Sequence, residues 1–143
     1  MQNKFSFYNK IPVQIRFNDF DFLAHVNNSV YQNYYDLART KYIDEVFKEK
    51  MEWNTRGLVL VKVSIEFLRP ILMDDNVDVY TKIYKLGNKS LGMYQQIKST
   101  LTSELKSTCD SVMVAYCGDV NTPCPVPEDW RQKIIRFEKD IKF

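Results

Sequence analysis

Little in this chain is abundant enough to mark a specialised class. Only four of its 143 residues are glycine and five are proline, too few for a collagen-like or low-complexity protein. Cys109, Cys117 and Cys124 are an odd count with no CxxC pair, which argues against a disulfide framework and against a zinc knuckle. His25 is the single histidine, so a metal site built on several imidazoles is excluded. Neither sign of charge dominates: 20 Lys and Arg stand against 18 Asp and Glu, a net charge of +2. With no polybasic block, charge makes no case for a nucleic-acid partner. The opening MQNKFSFYNK has no continuous apolar stretch of the kind a leader peptide needs. The longest strongly apolar run, residues 58–61, is far short of the ~20 residues of a membrane span. The expectation is a reduced, soluble, cytoplasmic protein. At 45% hydrophobic residues, residues 1–143 are expected to form one domain with a substantial core.

What is present is periodicity. Residues 11–17 alternate, with Val13, Ile15 and Phe17 against Gln14 and Arg16, the pattern of a strand. Pro12 puts the start of that strand at an edge or an end. Residues 18–28 are rich in Asn and Asp and read as a structured loop. From 28 to 48 the period changes: Tyr31, Tyr34, Tyr35, Ala38, Tyr42 and Val46 recur at three- and four-residue steps. This is one broad helical face, on a helix of ~30 Å. Asn27 or Asn28 is suited to cap it, because the side-chain oxygen accepts a free N–H of the first turn.

Four strand patterns follow. Over residues 58–69, Val59, Val61, Val63, Ile65 and Phe67 fall on one face, with Lys62, Ser64 and Glu66 on the other. Residues 77–86 alternate, Gly87-Asn88 signals a turn, and residues 90–101 form the next strand. Residues 108–117 become apolar on both faces from Val112 onward, as in a strand near the middle of a sheet. Cys109 and Cys117 sit in this pattern as small core hydrophobes. Pro123, Pro125 and Pro127 then break the sheet, and Pro127 suits the first position of a second helix. That helix carries a stripe of Trp130, Ile134, Phe137 and Ile141. Consecutive late strands with short connections favour antiparallel hairpins. A long helix with a broad apolar face needs a sheet to cover it. The economical α+β architecture is a curved antiparallel sheet wrapped around one long central helix, plus a C-terminal helix: the hotdog fold.

The densest polar cluster is residues 16–28, R-F-N-D-F-D-F-L-A-H-V-N-N, joining the first strand to the helix N-terminus. It is similar to the D-x-D-x-x-(G)-H-V-N-N signature of the hotdog acyl-CoA thioesterases, the hydroxybenzoyl-CoA thioesterase-like and acyl-ACP thioesterase-like group. The resemblance continues through Y-x-x-Y-Y-D-L-A-R (residues 31–39), F-L-R-P-I (67–71) and the G-N-K-S turn (87–90). It thus spans residues 11 to about 118, essentially the whole domain. It implies hydrolysis of a fatty or aromatic acyl thioester to free acid and CoA, with no metal and no redox cofactor. An acyl-ACP thioesterase and a non-catalytic acyl-thioester binding module are the alternatives. The resemblance also implies a homodimer or homotetramer in which each site is completed by the partner chain.

The same resemblance maps the catalytic carboxylate to Asp21 and leaves Asp19 to loop structure. A carboxylate at this place attacks the thioester carbonyl or deprotonates a water. The helix N-terminus near Asn28 supplies N–H groups and a positive dipole end for the developing oxyanion. His25 is assigned to orienting substrate or water. Tyr31, one turn into the helix, is expected to line the acyl pocket, whereas Asp36 and Arg39 at i, i+3 are expected to pair. CoA carries phosphates, so Arg69, Lys89 and Ser90 are the candidates to bind them, Lys89 and Ser90 because the family's turn meets the nucleotide there. Two departures stand out. Ala24 occupies a position often held by Gly, which is costly if the backbone there needs a positive φ. Leu23 replaces the Asn found two residues before the His in acyl-ACP thioesterases, which favours an Asp-centred mechanism.

Overall fold

A computed structural model describes residues 5–52, 54–119 and 121–143. The first residues of the N-terminal stretch read for a leader therefore lie outside the described residues. Five strands and two helices follow in the order β1 (Asn9–Val13), α1 (Asn28–Phe47), β2 (Arg56–Phe67), β3 (Val77–Leu86), β4 (Ser90–Ser99), β5 (Leu105–Cys117) and α2 (Glu128–Phe137). All five strands make one antiparallel sheet in the order β1-β3-β4-β5-β2. The expected hotdog layout, a long helix held against a single antiparallel sheet, is the one observed.

Helix α1 begins where the Asn27 side chain accepts the Ser29 N–H at 3.0 Å. It ends at Lys48, which turns left-handed at φ 54°. Its inward stripe feeds two adjoining clusters. Tyr31, Tyr34, Tyr35 and Ala38 pack with Val13, Val77, Val79, Ile97 and Cys109. Tyr42, Val46 and Phe47 pack with Ile83, Met93, Met113 and the α2 residues Trp130 and Ile134. Trp130 stacks on Phe47 with ring centroids 4.9 Å apart, which fixes α2 across the C-terminal end of α1.

Several expectations are corrected. The first strand pairs over Asn9–Val13 rather than 11–17, because its partner β3 begins at Val77, opposite Val13; residues 17–19 instead form a 3-10 turn. Pro12 does lie on an edge strand. β2 does not lie beside β3: it crosses to the far edge and pairs with β5. Its faces also differ from a strict alternation. The register slips between Leu60 and Lys62, so Val61 is an extra, bulged residue, 56% exposed. Leu58 and Leu60 face the core before the bulge, and Val63 and Ile65 after it. One inserted residue reverses a period-two pattern. Ile141 lies beyond α2, and Pro127 caps that helix rather than opening it.

The cysteines are a further correction. Cys117 and Cys124 form a disulfide with Cα atoms 5.8 Å apart, while Cys109 is free and buried. The chain reverses after β5, and Pro123 bridges back to Tyr116, which sets Cys124 beside Cys117. A seven-residue separation says nothing of this reversal without the fold.

At the β3 edge, Lys82 and Glu138 are both fully buried and paired at 2.7 Å. Glu138 also accepts the Tyr42 hydroxyl and the Ile83 N–H at 3.2 Å. It thus supplies an acceptor where β1 no longer pairs with β3. Burial, and then the Glu138 charge, push the Tyr42 phenol well above its ordinary pKa. Removing one partner of a buried pair strands the other. Glu138→Ala is therefore expected to cost ~3 kcal/mol in denaturant unfolding; an unchanged midpoint would show that the C-terminal tail does not secure this edge.

Candidate active site

The loop between β1 and α1 is drawn into a tight hairpin by its own backbone. Phe20 bridges Val26, the Asp21 N–H donates to the His25 carbonyl at 2.9 Å, and the Ala24 N–H donates to the Asp21 carbonyl at 3.0 Å. Ala24 closes this turn at φ 59°. The positive φ that its Gly-like position in the motif raised as a possibility is thus present. A second strap, residues 68–72 after β2, lies alongside. The Val26 N–H donates to the Ile71 carbonyl at 2.9 Å, and His25 bridges Leu72. Lys106 anchors that strap: its carbonyl accepts the Leu68 and Arg69 N–H groups and its ammonium donates to the Pro70 carbonyl. Lys106 was not singled out in the sequence, where it falls between the strand patterns of residues 90–101 and 108–117; β5 starts earlier, at Leu105.

Loop, strap and helix terminus enclose an open cleft of about 400 Å³. Asp21, His25, Asn28, Tyr31 and Arg69 all line it, with Leu23, Phe67 and Leu68 as apolar walls. Five of the seven candidate site residues thus converge. Lys89 and Ser90 do not. Their turn adjoins the Cys117 end of β5, where the Ala115 N–H donates to the Lys89 carbonyl and Ser90 pairs with Val114. The cleft lies at the Phe67 end of β2, whereas Cys117 pairs with Arg56 at the other end. Along β5, the eight residues from Ala115, which bonds Lys89, to Ser107, which pairs with Phe67, separate the two by ~26 Å at ~3.3 Å per residue.

The two aspartates of the motif have opposite surroundings. Asp19 is 3% exposed, and its Oδ2 accepts the Arg16 N–H at 2.8 Å and the Tyr34 hydroxyl at 2.6 Å. That carboxylate is consumed by structure, as the sequence reading assigned it. Asp21 is half-buried and lines the cleft; its Oδ1 accepts the Leu23 N–H at 2.9 Å, an Asx turn that fixes the plane of the carboxylate. Among the described residues nothing donates to its Oδ2.

At the helix start, Asn27 is the cap, so of the two asparagines Asn28 is left to the cleft. The Ser29 N–H is satisfied by the Asn27 side chain and the Val30 N–H by the Asn27 carbonyl. Among the described residues nothing accepts the Asn28 N–H. A donor at the positive end of a 20-residue helix is a ready site for an oxyanion. Tyr31 is 2% exposed and sets its ring edge-on to Phe67 at 4.9 Å; burial raises its phenol pKa. Arg69 is exposed, and unlike Arg16, Arg39 and Arg56 it has no carboxylate within reach among the described residues. Arg39 does pair with Asp36, but it is turned inward and also reaches Gln95. No three His, Cys, Asp or Glu side chains converge as metal ligands among the described residues, and none of the described helices is long and apolar enough to cross a membrane.

One cleft thus brings together a half-buried carboxylate and a helix N-terminus whose first N–H has no acceptor among the described residues. Comparison with known proteins supplies the class of chemistry. A family profile described as the thioesterase-like superfamily matches residues 15–134. The chain belongs to the thioesterase-like superfamily. Thioester hydrolysis is therefore its class of reaction. The long-chain acyl-CoA thioesterase FadM of Escherichia coli (strain K12) is 26% identical over 133 residues, 91% of each chain. A thioesterase from Thermus thermophilus, solved with coenzyme A and zinc, is 31% identical and superposes with a TM-score of 0.79 over 93% of this chain and 96% of its own. SAV2348 from Staphylococcus aureus, solved with CoA, shares the fold at a TM-score of 0.83, with 14% identity over 100% of this chain and 91% of its own.

Within this thioesterase fold Ala24 has a measurable cost. A left-handed backbone brings its β-carbon against the following carbonyl, and glycine removes that contact. Ala24→Gly is expected to stabilise the protein by ~1 kcal/mol and to raise its thermal midpoint. A lowered midpoint would show that the alanine methyl contributes packing that outweighs the strain.

Proposed function

We propose that this thioesterase hydrolyses acyl-CoA, releasing a free fatty or aromatic acid and CoA. The observation that carries the reading is that one cleft is lined both by Asp21, with a carboxylate oxygen that accepts nothing among the described residues, and by Asn28, whose N–H has no acceptor among them. A thioester carbonyl held between them has its carbon against Asp21 and its oxygen against the helix terminus. Asp21 then acts as general base, taking a proton from the water whose oxygen attacks the carbonyl carbon, or as the nucleophile itself, forming a mixed anhydride that water cleaves to the free acid. The Asn28 N–H takes up the developing oxyanion, an interaction whose loss in comparable sites costs ~3–4 kcal/mol. The CoA thiolate leaves readily because a thiol is far more acidic than an alcohol, so no strong general acid is needed. His25 orients water or carbonyl, Tyr31 walls the acyl group, and Arg69 meets a phosphate at the rim.

The reading extends to a homodimer or homotetramer. β2 is a 12-residue edge strand, and an edge of that length left unpaired invites another chain. Antiparallel pairing of two β2 edges brings the Arg56 end of one chain to the Phe67 end of the other. That geometry supports delivery of Lys89 and Ser90 of one protomer to the cleft of its partner, where CoA phosphates need cations. FadM acts on long-chain acyl-CoA, and the Thermus thermophilus thioesterase was solved with coenzyme A; both favour CoA as the carrier.

Asp21→Asn preserves shape and removes the anion. It is expected to slow hydrolysis of the best acyl-CoA by ~100-fold or more while binding of an unreactive thioester analogue is kept; hydrolysis at the parent rate would refute the assignment. A parent protein that binds acyl-CoA and turns over none, across a series of acyl lengths, would instead identify a binding module.

Lys89→Ala tests the carrier and the assembly together. The contact is exposed and made equally in ground and transition states, so KM should rise ~5-fold, or ~1 kcal/mol, with kcat unchanged. The effect should fade as salt rises and be absent with the same acyl group on a short pantetheine thiol. Sedimentation at micromolar concentration should give a dimer or tetramer. A fully active monomer would remove both the assembly and the shared site.

A further inference from the structure

Tyr34 falls in the helical stripe as an ordinary core aromatic, the second tyrosine of the Y-x-x-Y-Y-D-L-A-R stretch, with no site role assigned to it. Its ring is 4% exposed within the cluster around the first half of α1. Its hydroxyl, however, leaves the core and donates to Asp19 Oδ2 at 2.6 Å. Asp19 in turn controls both ends of the catalytic loop. Its carboxylate holds the Arg16 N–H at 2.8 Å, where the chain leaves the β1 side. Its carbonyl accepts the Asn27 N–H at 2.8 Å, at the residue that caps α1. Asp21 begins the hairpin two residues after Asp19, and Asn28 follows the cap directly. The two groups that must face a thioester from opposite sides therefore hang from one residue, and the carboxylate of that residue is fastened to the body of the helix by the Tyr34 phenol. Burial first, and then the bond to Asp19, raise the Tyr34 phenol pKa far above its ordinary value, so the hydroxyl stays a donor at any working pH.

We propose that Tyr34 is a positioning residue for hydrolysis: through Asp19 it sets the distance between the Asp21 carboxylate and the Asn28 N–H. This rests on the reading of Asp21 and Asn28 given above. Tyr34 touches neither substrate nor reacting atoms. Its effect is confined to the step in which both groups act at once, and a misplacement of ~1 Å is enough to slow such a step by ~100-fold. Substrate binding, which depends on the walls and rim of the cleft, does not need that distance to be exact.

A built-in comparison separates positioning from mere satisfaction of a buried phenol. Tyr35, the next residue, is fully buried and donates to Ser107 Oγ at 2.8 Å; that bond ties α1 to β5 and does not touch the loop. The experiment compares Tyr34→Phe, Tyr35→Phe and Asp19→Ala with the parent, by steady-state kinetics on an acyl-CoA and by site-resolved amide hydrogen exchange. Tyr34→Phe should lower kcat by at least ~10-fold with KM within about twofold. Tyr35→Phe should leave kcat within about twofold whatever it does to the thermal midpoint. Exchange at the Asp21, Ala24 and Asn27 amides should rise ~10-fold in Tyr34→Phe and stay at parent levels in Tyr35→Phe, because only the former loosens the loop locally. Asp19→Ala, which removes the acceptor of both the Tyr34 hydroxyl and the Arg16 N–H, should follow Tyr34→Phe in both measurements. Parent kcat in Tyr34→Phe overturns the proposal, as do equal kcat losses in the two phenylalanine variants or a loss that appears in KM. A parent protein without thioesterase activity would refute the proposed function instead, and the exchange comparison would still decide whether Tyr34 holds the loop.

Discussion

A buried phenol must donate its proton to something, and α1 carries four of them on its inward side, at Tyr31, Tyr34, Tyr35 and Tyr42. Ring burial drives the helix into the sheet, but the hydroxyls decide what is attached to it. Tyr34 reaches Asp19 in the loop before the helix, Tyr35 reaches Ser107 on β5, and Tyr42 reaches Glu138 in the C-terminal tail. Tyr31 lies against the strap at Ile71. Loop, sheet, strap and tail are separate in sequence and have little else in common; each is located relative to the same rigid rod. The cleft exists because the loop and the strap, which both meet the N-terminal half of α1, are referenced to it.

The other half of α1 answers a different need. Lys82 on β3 is fully buried with Glu138, and Asp140 lies 2.9 Å from the same ammonium. Burying an ion pair gains little by itself against its desolvation cost. Here the carboxylate has a second task, as acceptor for a backbone N–H on the β3 edge that β1 is too short to cover. The tail after α2 is thus an edge cover made of side chains, and it leaves β2 as the exposed long edge of the sheet.

The fold was legible because the helical period of 28–48 and the alternation of the later strands are each long enough to be unambiguous. The motif residues Asp21, His25 and Asn28 were legible because they are local: the loop that joins them is a few residues long, and its chemistry is set by neighbours in sequence. What could not be read were the events that need a partner from elsewhere. Residues 58–67 offer apolar side chains in both phases, so nothing marks Val61 as the inserted residue until β5 lies beside it. Cys117 and Cys124 meet only because Pro123 returns to Tyr116. Lys89 and Ser90 were matched by motif, but a motif does not say at which end of the sheet a turn falls. Tyr34 falls in a helical stripe and Lys106 between two strand patterns, and their hydrogen bonds, not their spacing, give them their roles.

The crossing of β2 to the far edge of the sheet has a consequence for how the chain reaches this state. β3, β4 and β5 are neighbours in sequence as well as in space and close as hairpins over short loops. The pairing of Leu58 with Ala115 and of Asn9 with Thr81 must instead enclose most of the intervening chain, at an entropic cost met before any contact is gained. The three-stranded centre can assemble early, whereas the two flanking strands are recruited late and from a distance. Folding should accordingly be slow for a domain of this size, and the strand that arrives late, β2, is the one whose outer edge stays open in the finished chain.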